Sequence, residues 1–154
     1  MTTKAVALTL ALCFAGAATA LAQSAQMGTW KLNEAKSKIP AGAVKNSTVV
    51  YEAKGDSIKV TTDGTANDGS PSHTEWTGKF DGKDYPLTGD ITSDSRSYTK
   101  VNGHTLLLTN KKAGSVVATG RIVVSADGKV RTLTLHSPDT AGKKLLSTAI
   151  YDKQ

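Results

Sequence analysis

Past position 13 the chain contains no cysteine, and Cys13 itself lies within an apolar opening run. A domain that matures without it has no disulfide and no thiolate for zinc, so its core alone must hold it. Aromatic residues make up 5% of the sequence. That supply is too thin for the aromatic girdles of an outer-membrane barrel, whose outward faces would also not carry Lys, Glu, Asp and Arg. Acidic groups are outnumbered 13 to 19, for a formal net charge of +6. The basic residues are scattered through turns and outward strand positions, with no Arg/Lys stripe among stacked aromatics. This distribution points to solubility, and no nucleic acid is expected as a partner.

What is there begins with a leader pattern. Lys4 supplies a positive start, residues 5–18 form an apolar run, and Ala20-Leu21-Ala22 gives the small-x-small signature of a signal peptidase site. The run is too short to span a bilayer, so no membrane insertion is expected. A cut after Ala20 would also serve. We expect residues 1–22 to be removed as a signal peptide, the product to be periplasmic or secreted, and residues 23–154 to form one monomeric domain. Loss of Lys4 leaves a net charge of +5. About 130 residues suffice for a single core.

From residue 27 onward the pattern is β-type. Runs rich in Val, Thr, Ile and Tyr occupy 27–32, 47–53, 57–62, 73–80, 84–88, 95–101, 105–110, 115–125, 130–137 and 144–152. Between them stand Lys54-Gly55-Asp56, Asp63-Gly64, Asn67-Asp68-Gly69, Asp81-Gly82, Asn102-Gly103, Ala113-Gly114, Asp127-Gly128 and Ala141-Gly142. Such dipeptides supply the positive φ of tight hairpins. Strands at this spacing predict an all-β fold, an antiparallel up-and-down meander closed into a barrel of about eight to ten strands. Several runs have one wet and one dry face: Thr74, Trp76, Gly78 and Phe80 align in one, and Val116, Ala118, Gly120, Ile122 and Val124 in another. Arg96, Tyr98 and Lys100 also share a face, either a solvated outer surface or the polar lining of a cavity. Residues 33–45 predict a loop with one helical turn capped by Asn33 and ended by Pro40 and Gly42, lying over a barrel mouth.

Gly28-Thr29-Trp30-Lys31-Leu32 as a first strand, with Ser147-Thr148-Ala149-Ile150-Tyr151-Asp152-Lys153 as a closing one, resembles the lipocalin and fatty-acid-binding-protein superfamily, the calycins. The opening Gly-Thr-Trp-Lys-Leu-Asn is also similar to that of small exported bacterial proteins with no assigned activity. The resemblance implies an internal ligand cavity with Trp30 stoppering one end. It also implies that Tyr151 matches the tyrosine which, with an arginine two residues before it, holds a ligand carboxylate. Ala149 stands in that arginine's place here, and Arg121 or Arg131 could substitute from a neighbouring strand.

No catalytic signature accompanies these strands: there is no Gly-x-Ser-x-Gly elbow and no phosphate-cradling glycine loop. His73, His104 and His136 show no metal-ligand spacing. Asp63 to Gly69 is oxygen-rich, but its glycine falls one place late for a calcium loop, and Thr74 stands where the closing glutamate belongs. No metal or cofactor is expected. The expected function is non-catalytic binding of a small hydrophobic or amphipathic ligand inside the barrel. Trp30, Trp76, Tyr85, Tyr98 and Tyr151 are the candidate apolar contacts, with Arg96 and Arg121 as candidate anchors for a polar head. The alternatives are a protein-binding or inhibitory surface module with a solid interior, and an enzyme with a dispersed site.

Overall fold

Alternating β-branched residues punctuated by glycine turns fold into ten antiparallel strands: β1 (Gly28–Leu32), β2 (Lys45–Lys54), β3 (Ser57–Thr65), β4 (Pro71–Gly78), β5 (Tyr85–Thr88), β6 (Ser95–Lys100), β7 (Thr105–Lys112), β8 (Ser115–Val124), β9 (Val130–Pro138) and β10 (Lys144–Lys153). This computed structural model describes residues 24–154, so the expected leader over residues 1–22 lies outside the described residues. Each strand pairs with the next, and β1 pairs with both β2 and β10, closing a ten-strand barrel. Closure satisfies the edge groups that an open sheet would expose.

One turn expectation fails. Asp63-Gly64 is not a turn: β3 runs on to Thr65, because Gly64 sits against the backbone of Lys45 and Asn46, where a Cβ would collide. The hairpin is made instead by Ala66–Ser70, with Asp68 accepting from the Ser70 backbone N–H at 2.9 Å. Residues 33–45 do contain one short turn, a 3₁₀ helix over Glu34–Lys36 capped by Asn33. The first half of this segment prolongs β1 alongside β10: Asn33 N–H donates to Ile150 O at 2.8 Å, and Lys38 bridges Thr148. The second half reaches the open end of the barrel, where Ala43 is buried and Val44 lines an internal cavity.

Aromatic side chains fill the half of the barrel nearest the β2–β3, β4–β5, β6–β7 and β8–β9 turns. Trp30, Tyr51, Trp76, Tyr98 and Tyr151 are each at most 1% exposed. Trp76 packs edge-on to Tyr98 at 4.8 Å between ring centroids and lies nearly parallel to Phe80 at 6.3 Å. Residues 24–27 strap this end shut. Gln26 Nε2 donates to His104 O at 3.2 Å, and Trp30 Nε1 donates to Gln26 O at 2.7 Å. Both indoles are therefore buried with their N–H satisfied, since Trp76 Nε1 donates to Arg96 O at 2.9 Å.

Candidate functional site

The opposite half is lined differently. From the aromatic floor upward, side chains shrink to Thr62, Ser72 and Thr74 on one wall and Leu108, Ala118, Leu133 and Leu135 on the facing one. With less volume to fill the cylinder, a cavity of about 60 Å³ remains, widening to about 850 Å³ when its open mouth is included. Asn46, Asn67, Asp90 and Thr92 stand at that mouth. The loop after β5 that carries Asp90 and Thr92 starts at Gly89, whose φ of +83° and closeness to the His73 carbonyl leave no room for a side chain. Asp90 is occupied locally, accepting from Thr92 N–H at 2.8 Å and Ser93 Oγ at 2.9 Å.

Two guanidiniums reach into this cavity. Arg96 is 8% exposed; its Nε donates to Asn110 Oδ1 at 2.7 Å and its Nη1 to Tyr98 Oη at 3.3 Å. Arg131 is 2% exposed and forms the floor. Its Nη2 donates to Tyr51 Oη at 2.9 Å, and its Cζ lies 4.9 Å from the Tyr151 ring centroid and 5.5 Å from that of Tyr51. The ring faces cover the plane of the guanidinium, a favourable cation–π arrangement. Its Nε and Nη1, however, find no hydrogen-bond partner. Among the described residues no carboxylate is buried, the buried polar set being Gln, Ser, Thr, Asn and these two arginines.

The neighbouring phenols do not neutralise the charge. Burial pushes the Tyr51 phenol well above its ordinary range, and Arg131 only partly offsets this. Burial raises Tyr151 likewise, again with Arg131 working against it. Burial also disfavours the charge on Arg131, but the surrounding phenols of Tyr51, Tyr151 and Tyr98 outweigh it, so its pKa lies above the usual value. At neutral pH the site therefore holds cationic guanidinium beside neutral phenols. The Arg131 charge is thus desolvated without a carboxylate, and the Tyr51 hydrogen bond and two ring faces support it.

The structure distributes the sequence candidates unevenly. Arg96 and Tyr98 line the cavity, and their strand face is the inward one, although Lys100 at its end is exposed. Tyr151 lies beneath Arg131. Trp30 and Trp76 are packed within the aromatic half and do not line the cavity. Tyr85 sits on the same side of the core, its hydroxyl donating to Asp81 Oδ2 at 3.0 Å. Arg121 must be corrected as an anchor: it is exposed on the outer face of β8, because inward Ile122 sets the alternation. Arg131, considered only as a substitute for a missing arginine, is the residue that points in. Its signal was the face it shares with Leu133 and Leu135 across β9. Thr74 falls on the inward face on which alternation places it, but nothing in the sequence singled out Asn110 or Thr62, whose roles depend on cross-strand partners. The oxygen-rich stretch from Asp63 to Gly69 gathers no cluster, and among the described residues no group of three or more His, Cys, Asp or Glu side chains could hold a metal ion.

No protein-family model matches the sequence, and no curated protein matches it either. Among solved structures, the chain is similar to the redesigned β-barrel mFAP1, determined bound to DFHBI. The two share 18% identity with a TM-score of 0.43, over 86% of this chain and 100% of that one.

Proposed function

We propose that this protein is an exported, non-catalytic barrel that holds a small amphipathic anion, its charged end between Arg131 and Arg96. The observation that carries this reading is the pair of buried guanidiniums without a buried acid, one of them with two unpartnered N–H groups. A carboxylate has the matching charge, and its oxygens accept the charge-assisted hydrogen bonds that these N–H groups lack. Tyr151 and Arg131 are direct partners in the β9–β10 ladder, so an arginine one strand away stands beside the tyrosine where Ala149 leaves a gap. That is the arrangement the fatty-acid-binding resemblance leads one to look for, reached from another strand. The leader pattern at residues 1–22 supports export.

The enclosed volume limits the guest. About 60 Å³ holds a head group and a few waters, at roughly 10–15 Å³ of such space per water, and not a folded acyl chain. This small volume also favours a second reading, a surface module with an essentially solid interior. Calorimetric titration of the mature protein separates the two. Acetate, butyrate and octanoate should bind saturably, the corresponding neutral amides should not, and Arg131→Met should abolish carboxylate binding. Flat traces for every carboxylate would leave the solid-interior module standing.

A further inference from the structure

We propose that the barrel wall between β8 and β9 is open, and that the cleft there is the subsite for the apolar tail of the anion whose head lies at Arg131 and Arg96. The inference rests on the head-group reading above and adds the tail's position. Its cause is local. The β7–β8 register steps from Asn110↔Ala118 to Lys111↔Val116, leaving Val117 as the extra residue of a bulge. A bulge bends its strand and breaks the ladder. Here the β8–β9 ladder extends only from Val124↔Arg131 to Thr119↔His136, so Val116, Val117 and Ala118 have no partner on β9. On the other side β9 ends in Pro138, which has no N–H to offer a neighbouring strand. The two strands separate where neither can complete a ladder. The same bulge turns Val116 outward, to 58% exposure, although strict alternation would place it inside with Ala118 and Ile122.

The separation produces a cleft of about 420 Å³, lined by inward-facing Ala118 and Ser137 as well as outward-facing Val116, Thr119 and His136. A cleft lined by both faces of two adjacent strands passes between them. Ala118, Ser137 and Pro138 line this cleft and the internal cavity alike. Ser137 Oγ, at this junction, is buried without a hydrogen-bond partner. The route to the charge is short: Ala118 is the ladder partner of Asn110, which accepts from Arg96 Nε. An anion seated on the guanidiniums thus has apolar Ala118 beside it in the wall, with Val116 in the cleft beyond. The 60 Å³ interior alone could not house a chain of several methylenes. The guest this geometry fits is a medium-chain monocarboxylate, head inside and tail in the side cleft.

The test uses the mature protein with acetate as a head-only probe and octanoate as head plus tail. Octanoate should shift the amide NMR signals of Val116–Thr119 and Ser137, and leave those of Ala66, Asn67 and Ile91 at the end mouth unchanged. A carboxylate spin-labelled at its far end should broaden the same β8–β9 signals. Val116→Asp, at an exposed position that does not endanger folding, should weaken octanoate about tenfold more than acetate, because a charge would face the tail. Perturbations confined to the end mouth, or equal losses for the two probes in Val116→Asp, would overturn the side subsite while leaving the head-group site intact. Failure of acetate and octanoate alike on the unmodified protein would instead remove the head-group site, and this inference with it.

Discussion

The two ends of the barrel follow opposite rules with the same ten strands. At the strapped end, large rings interlock, both indole N–H groups are bonded, and residues 24–27 shut out water. At the open end, threonines, serines and alanines leave room, and two guanidiniums face that space without an acid, Arg96 from the wall and Arg131 from the aromatic floor. One half is organised for stability and gains from every ring it buries. The other carries a desolvation cost that the Tyr51 hydrogen bond and the ring faces of Tyr51 and Tyr151 offset without a carboxylate. Stability and binding are thus separated along the barrel axis, and substitutions at the two ends should act with opposite signs.

The largest effect should come from the strapped end. Trp30→Ala should lower unfolding free energy by about 3–5 kcal/mol in urea titrations, while the fraction that remains folded keeps its carboxylate affinity within about twofold. A loss of affinity in the folded fraction would mean that the two ends are not independent. Arg131→Met, on the cavity floor where the two halves meet, should do the reverse, raising stability by about 1–3 kcal/mol as a buried charge without an acid partner is removed, and abolishing anion binding. If stability fell instead, Arg131 would be part of the scaffold and the contrast would collapse. A smaller effect is expected at the hydroxyl wall, where Thr62 and Thr74 share a buried hydrogen bond of 2.5 Å. Thr62→Val should cost about 1 kcal/mol by orphaning Thr74, and Thr62→Val with Thr74→Val should recover most of it.

The smallest test concerns the outer surface at the open end. The hydrogen bond that the His73 ring donates to the Asp63 carboxylate raises the His73 pKa, despite some opposing desolvation, with smaller help from the charges of Asp63 and Glu75. Because the folded-state value lies above the unfolded one, the stabilising contribution is full below the unfolded pKa of about 6.5 and is lost as pH rises through the folded value. NMR titration should therefore place the His73 midpoint above that of a model histidine, and Asp63→Asn should bring it down. An unmoved midpoint in Asp63→Asn would show that the contact at 2.6 Å does not persist in solution.

How far the sequence led depends on the range of the interaction in question. Strand existence and barrel class were legible because turn glycines and period-two alternation are local signals, and Trp76, Gly78 and Phe80 share a face as the pattern requires. The bulge at Val117 was not legible: a single added residue changes no composition, yet it turned Val116 out of the dry face on which alternation had placed it. The site was half legible for a similar reason. Arg96 and Tyr98 announced a polar face without saying which way it pointed. Arg121 and Arg131 differ in their neighbours: the dry face of Ala118, Ile122 and Val124 leaves Arg121 outside, whereas Leu133 and Leu135 share a face with Arg131. The Asn110 contact to Arg96 and the Tyr51 contact to Arg131 span 14 and 80 positions, beyond the reach of any local pattern.

The seam of the barrel has a kinetic corollary. Trp30 and Lys153 are ladder partners although 123 positions separate them, so the first strand has no complete berth until the last has been laid down. Drawing such distant segments together is entropically slow. The meander from β2 to β10 can assemble hairpin by hairpin, with the indole and its strap zipping the cylinder as the final event. Refolding should therefore show the Trp30 environment maturing after the bulk of the β signal, as a late phase that lengthens when the β1–β10 contact is weakened.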